Sequence, residues 1–266
     1  YAMTATISDG TNSGSALSYT VTVTDATEII ILDGQTGSVA EDASVGDAVM
    51  TVSITDSTPT AILFSAGNAD GIFAIATSGA VTIADTTNLD FETMASYTLT
   101  IVAYDASSSD VADITISITN ANDAPTLATA QADVTATEDT AYSVDVSGNF
   151  ADVDVGDTLT YTATGMPSTM TMSTAGVLSG TPLNADVGTS TVVVTATDGT
   201  ASITDTFDVV IANTNDAPTL ATAQADVTAT EDTAYSVDVS GNFADVDVGD
   251  TLTYTATGMP STMTMS

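Results

Sequence analysis

The chain has 266 residues, 35 of them Asp or Glu and none Lys, Arg or His, for a formal net charge of -35. With no cationic side chain it cannot neutralise phosphate, so binding to nucleic acid or to an anionic lipid surface is excluded. Without His or Cys there is no Ser-His or Cys-His nucleophile pair, no thiolate or imidazole for zinc and no disulfide.

What remains is carboxylate chemistry, and the charge must be neutralised by a cation from outside. Such acidity accompanies disorder where hydrophobicity is low, but 43% of residues are hydrophobic and mean hydropathy is +0.27, so the chain is expected to fold. No run of about 18 apolar residues occurs, and no membrane-spanning helix is predicted. Tyr1 is not an initiator and no basic segment precedes an apolar one, which points to a piece of a longer chain, with no signal peptide in this stretch.

In chain order, residues 1–25 read as the last two strands of a unit, since Tyr1 and Asp9 are spaced as Tyr97 and Asp105 are. Residues 26–121 make a full unit, in which Tyr97 to Ile101 alternates as Y-T-L-T-I and Asp113 to Thr119 as D-I-T-I-S-I-T. Residues 122–214 make a second, with L-T-Y-T-A-T from Leu159 to Thr164. Residues 215–266 are the first half of a third, because Asn122 to Ser173 recurs unchanged as Asn215 to Ser266, 93 residues on. Candidate linkers begin at Asp25, Asn120 and Asn213. The period is close to the roughly 100 residues of a small sandwich and far above that of a solenoid. Period-two alternation, abundant Thr and about seven runs per unit split by Gly, Asp, Asn and Ser predict an all-β fold: tandem Greek-key immunoglobulin-like sandwiches of antiparallel sheets.

The five glutamates follow the repeat. Glu28 lies in a linker, Glu41, Glu138 and Glu231 fall in the predicted first strand of successive units, and Glu92 lies in Leu89-Asp90-Phe91-Glu92. Asp105 and Asp198 each lie 15 residues before a linker Asn, at the end of the penultimate strand. Carboxylates gathered at the poles of a sandwich repel one another unless a hard divalent cation with oxygen ligands joins them, and calcium suits such a flexible site better than magnesium.

These residues resemble a known family. Residues 26–121 are similar to a cadherin-type repeat: Ala40-Glu41-Asp42, Leu89-Asp90-Phe91-Glu92, Ala103-Tyr104-Asp105 and the linker Asn120-Ala121-Asn122-Asp123-Ala124-Pro125 stand in the family's order. Residues 122–214 resemble the dystroglycan-type cadherin-like domain common in bacterial surface proteins, through Asp152-Val153-Asp154-Val155-Gly156-Asp157, Gly165-Met166-Pro167, Gly176 to Pro182 and Thr197-Asp198-Gly199. The resemblance implies calcium at three joints. One would use Glu41, Asp90, Glu92, Asn120, Asn122 and Asp123, with Asp154, Asp198 and Asp152 from the following unit. The next would use Glu138, Asn213, Asn215, Asp216 and Asp247, and the one before would use Asp25, Glu28, Asp56 and Asp105. Asp56-Ser57-Thr58 lacks the family's second Asp, Ala124 and Ala217 replace a linker Asn, and residues 122–214 have no L-D-x-E. The joint near Asn120 is therefore expected to hold calcium best.

The function this implies is a structural and adhesive segment of a long secreted bacterial surface protein, a stalk or extracellular filament stiffened by calcium and not an enzyme. Its partners would be calcium and identical chains or other surfaces. The alternative is an accessory or carbohydrate-binding module of a secreted hydrolase. Asp152 to Asp157 is not an EF-hand loop, since Gly156 and Ala163 stand where acidic ligands belong. Met166, Met170, Met172, Tyr142, Tyr161, Tyr235 and Tyr254 are read as packing residues. The two ends have two readings. Either residues 1–266 are a window on a continuous array, or the first two strands of one molecule complete the half-unit of the next by strand addition.

Overall fold

The computed structural model describes residues 1–22 and 28–265. It separates into two compact units, Tyr1–Ala121 and Asn122–Ser266, each described by itself.

The first unit opens with a hairpin of β1 (Ala2–Ala5) and β2 (Leu17–Thr20), which among the described residues pair only with each other. Nine strands follow: β3 (Ile30–Ile31), β4 (Gln35–Ala40), β5 (Ala48–Thr51), β6 (Ile54–Thr55), β7 (Ala61–Ala66), β8 (Phe73–Ile75), β9 (Ala80–Ile83), β10 (Ser96–Tyr104) and β11 (Ser109–Thr119). They form sheets in the orders β4-β11-β10-β7, β5-β9-β8 and β3-β6. The alternation of Ile114, Ile116 and Ile118 on β11 and of Tyr97, Leu99 and Ile101 on β10 turns these side chains into one core with Ile72, Val81 and Ile83. Phe73 packs edge-on against Tyr97, with ring centroids 5.3 Å apart.

The second unit repeats this strand for strand: β12 (Thr126–Leu127), β13 (Val134–Thr137), β14 (Tyr142–Asp145), β15 (Phe150–Ala151), β16 (Thr160–Thr164), β17 (Met170–Met172), β18 (Val177–Gly180), β19 (Gly188–Thr197) and β20 (Ser202–Ala212). The sheet orders β13-β20-β19-β16, β14-β18-β17 and β12-β15 are the same arrangement. Its core holds Leu178, Val192, Val194, Phe207 and Val209, with Met170 and Tyr161 among them and Met166, Met172 and Tyr142 packed against it. The tyrosines and methionines of residues 122–173 are thus packing residues.

Two details depart from the sequence reading. The sheets are not purely antiparallel, since β4 pairs parallel to β11 and β13 parallel to β20. The predicted first strand is also broken in two. β3 pairs with β6, the chain turns at Asp33-Gly34 with Gly34 at φ 68°, and β4 joins the other sheet. Glu41 and Glu138 therefore stand one residue past the second of these short strands, at the rim rather than within the sheet.

The repeated segment is a natural control on what its strands require. Residues 215–265 carry the sequence of 122–172, yet only β21 (Thr219–Leu220) and β22 (Phe243–Ala244) form, paired as β12 and β15 are. Elsewhere in the first copy, β13, β14, β16 and β17 take all their partners from β18, β19 and β20. Those partners lie beyond the shared sequence, and without them the same residues form no ladder. Phe150 is 6% exposed where Phe243 is 41%, and Met170 is 3% exposed where Met263 is 38%. Strand identity here is decided by tertiary pairing, not by intrinsic propensity.

Candidate metal centre

A chain without basic side chains must satisfy its carboxylates with backbone N–H groups, amides and hydroxyls. Asp9, Asp105 and Asp198 do so locally. Each accepts the N–H groups two and three residues ahead, which closes the hairpin turn it begins. The Asp198 carboxyl lies below its ordinary range because of the Ala201 and Thr200 N–H groups, and Asp105 does so through the Ser57 hydroxyl and the Ser107 N–H.

The glutamates act over long range. In the first unit Glu41 Oε1 accepts the Ala121 N–H and Oε2 the Phe91 N–H, both at 2.6 Å, so one side chain ties the strand-end rim to the linker and to the L-D-F-E turn. Carboxylate oxygens of Glu41, Asp90 and Glu92 lie within 4.8 Å of one another. Asp90 is held below its ordinary pKa by the Thr93 N–H and hydroxyl.

In the second unit Glu138 Oε1 accepts the Thr214 N–H at 2.7 Å, while its Oε2 is buried without a hydrogen-bond partner among the described residues. The residue is 1% exposed. Carboxylate oxygens of Glu138, Asp216 and Asp247 lie within 4.8 Å of one another. Asp247, itself buried, accepts the Asp216 N–H at 2.6 Å and the Asn213 amide at 2.9 Å. Asn215 turns its amide to the Asp216 carbonyl. The Asp216 carboxyl is pushed up by burial, then by the charges of Asp139, Asp247, Glu138 and Asp245.

Two further groups repeat at an offset of 93: Asp152, Asp154 and Asp157, and Asp245, Asp247 and Asp250. Asp123 N–H donates to Asp154 at 2.7 Å and Asn122 donates to Asp198 at 3.0 Å. The Asp157 carboxyl is raised by burial and by Asp154, Asp152 and Asp198. The sequence reading missed Asp157, Asp245 and Asp250. The 93-residue repeat that carries Asp154 onto Asp247 also carries the predicted Asp152 onto Asp245, whereas Asp250 follows only from Asp157.

The third predicted joint is different. Asp25 lies outside the described residues. Glu28 and Asp56 are exposed, Asp105 is engaged in its own turn, and among the described residues these three join no group of three carboxylates. Glu231, the counterpart of Glu138, is likewise exposed, because the strand it should follow does not form.

Another carboxylate with a defined task lies away from these groups. Buried Asp186 accepts the Ser168 N–H and hydroxyl, the Thr169 hydroxyl and the Leu183 N–H, pinning the Gly165-Met166-Pro167 turn to the loop after β18.

The donor set around Glu138 fits a hard divalent cation. A buried carboxylate oxygen with no donor carries an uncompensated desolvation cost, and two more carboxylates crowd it in a chain with no cationic side chain. Oxygen-only ligands of this kind suit calcium.

Fold and site together define a tandem array of immunoglobulin-like β-sandwiches with carboxylate groups at the rims of the repeats. The family model "Putative Ig domain" matches residues 124–212 and 217–266, just over half of the chain, and the chain belongs to that family. A Cadherin domain model matches residues 35–119. No curated protein matches in sequence. Among solved structures, mouse Cadherin-23 EC22-24 is 23% identical with a TM-score of 0.54, over 70% of this chain and 65% of that one. Protocadherin Gamma B2 domains 3-6 are 20% identical with a TM-score of 0.54, over 73% and 50%. Human Protocadherin-24 EC1-2 is 16% identical with a TM-score of 0.54, over 69% and 98%. The chain thus spans less than two thirds of the first two. At these identities the likeness is one of fold. No helix among the described residues is long and apolar enough to cross a membrane.

Proposed function

We propose that this chain is a structural and adhesive segment of a long secreted, repetitive surface protein, an adhesin stalk or extracellular filament, in which calcium stiffens the passage from one repeat to the next. The observation that carries this reading is Glu138: fully buried, unpartnered at Oε2, and crowded by Asp216 and Asp247. Glu138 closes the repeat of residues 122–214, Asp216 belongs to the linker and Asp247 to the following copy, so a cation held by all three joins two repeats.

When bound, calcium supplies the positive charge that no side chain of this protein has. The protein's own part is to fix the ligands: the Thr214 N–H orients Glu138, and the Asp216 N–H and the Asn213 amide orient Asp247. Glu41, Asp90 and Glu92 are the corresponding ligands of the first unit, with Asn120, Asn122, Asp123, Asp152, Asp154 and Asp198 proposed for the same role. The bacterial surface setting rests on the resemblance of residues 122–214 to dystroglycan-type domains. Calorimetric titration of the 266-residue chain with calcium and with magnesium tests the reading. Saturable binding selective for calcium is expected, and no binding at millimolar calcium overturns it.

A further inference from the structure

The loop between β18 and β19 brings one more side chain to the Glu138 group. In the first unit the loop at this place in the fold, between β9 and β10, sets Asp90 and Glu92 beside Glu41. Its counterpart in the second unit, residues 181–187, has a single carboxylate, Asp186. That carboxylate is buried and taken up by Ser168, Thr169 and Leu183. What the loop presents to the site is neutral: Asn184 Nδ2 donates to Asp247 Oδ1 at 3.3 Å.

Two contacts fix the loop there. Asp186 accepts the Leu183 N–H and so closes the single 3-10 turn of Asn184–Asp186. The Asp139 N–H donates to the Pro182 carbonyl at 2.8 Å, which fastens the start of the loop to the residue next to Glu138. Asp247 is held as its counterpart Asp154 is. Each accepts a linker N–H, from Asp216 or from Asp123, and each donates its own N–H to the Asp two residues before it. This loop geometry is the same in both copies, although their ladders differ.

Calcium takes six to eight oxygens at about 2.3–2.6 Å, so the ligand atoms on one ion lie within about 5 Å of one another. The amide end of Asn184 lies well inside that distance of Asp247 Oδ1. An amide carries its oxygen and its NH2 on the same carbon, so the group that donates to Asp247 also brings an oxygen to the ion that Asp247 holds. The buried Glu138 Oε2, without a donor among the described residues, marks this as the place where positive charge is wanting.

We propose that Asn184 is a further ligand of the Glu138 site, donating to Asp247 when no cation is held and lending its amide oxygen when one is. This rests on the reading of Glu138, Asp216 and Asp247 as a calcium site. Residue 184 is then where the affinity of the site is set, because a neutral ligand stands where the first unit's loop supplies charged ones, and ligand charge tunes such sites.

The test follows the backbone amide resonances of Thr214 and Asp216 in the 266-residue chain as calcium is added, with those of Phe91 and Ala121 reporting the Glu41 group in the same sample. At Thr214 and Asp216, Asn184→Ala should weaken calcium binding about 3- to 10-fold and Asn184→Asp should tighten it by about as much. Phe91 and Ala121 should titrate as in wild type. In chelator the sign for Asn184→Asp reverses: a fourth carboxylate beside uncompensated ones should lower the thermal midpoint, while Asn184→Ala stays close to wild type. Should Asn184→Asp fail to fold, Asn184→Ser, which keeps a neutral oxygen, should retain more affinity than Asn184→Ala, and equal affinities overturn the proposal. A residue that only holds the loop in shape would weaken binding in both Asn184→Ala and Asn184→Asp. That result, or binding unchanged in both, overturns the role of Asn184 and leaves the calcium site standing. Wild-type Thr214 and Asp216 resonances that do not respond to calcium overturn the calcium reading itself and this inference with it.

Discussion

Glu138 accepts the N–H of Thr214 across 76 residues of sequence, and Glu41 accepts the N–H of Ala121 across 80. In both units a single glutamate at the end of the second short strand fastens the chain as it leaves the last one. The difference lies in the second oxygen, which Phe91 N–H satisfies in Glu41 and no donor among the described residues satisfies in Glu138.

Removing the charge of Glu138 therefore has opposite effects with and without calcium. In chelator, Glu138→Gln relieves repulsion with Asp216 and Asp247, and the thermal midpoint is expected to stay level or rise. In calcium the variant loses a ligand. At about 10 mM calcium and affinities of roughly 0.1–1 mM, one site adds about 1.4–2.7 kcal/mol to the folded state, and this increment should shrink or vanish. Calorimetry in both conditions reads the two effects separately.

Protons should compete with calcium at Asp216. Burial and its carboxylate neighbours raise its pKa, so the protonated form favours the folded state. Its stabilising contribution is full below the ordinary value near 3.8 and is lost as pH rises through the raised one. Calcium affinity should correspondingly weaken as pH falls through that same window, measured by titration at several pH values.

Asp186 has the opposite sign. Burial opposes its ionisation, but the Thr169 hydroxyl, the Leu183 N–H and both donors of Ser168 outweigh burial and hold the carboxyl at about 2. Its contribution is present above 3.8 and is lost as pH falls toward 2. Asp186→Ala strands these donors and should cost about 2–4 kcal/mol in urea unfolding at neutral pH. Toward pH 2 the gap between the variant and the wild type should narrow, as the part linked to ionisation is lost.

Gly165 has φ 73°, and a Cβ there would meet the Thr191 carbonyl oxygen at 2.2 Å. Gly165→Ala is expected to cost about 2–4 kcal/mol. Its sequence twin Gly258, at φ 70°, has nothing within 4 Å, so Gly258→Ala should cost about 1 kcal/mol or less. Equal midpoints for the two variants would contradict the distinction between the two copies.

Period-two alternation made β10, β11 and β16 legible, because each is half-buried and shows its two faces in sequence. The 93-residue identity likewise exposed the repeat. Less legible was the split between β3 and β4, since Asp33-Gly34 reads as an ordinary turn and which sheet each side joins depends on distant strands. The fate of residues 227–230 was not legible at all. They repeat β13 letter for letter, and only the lack of a β20 partner separates them. At the site, spacing and resemblance singled out Glu138, Asp216 and Asp247 as ligands. The buried Oε2 of Glu138 became visible only with the packing around it, and Asp186 carries no motif of its own.

Thermal unfolding of the whole 266-residue chain at fixed ionic strength, in calcium, in magnesium and in chelator, tests the central claim most directly. Calcium alone should raise the midpoint by several degrees, with magnesium and chelator nearly together. Three coincident melts would contradict the calcium account.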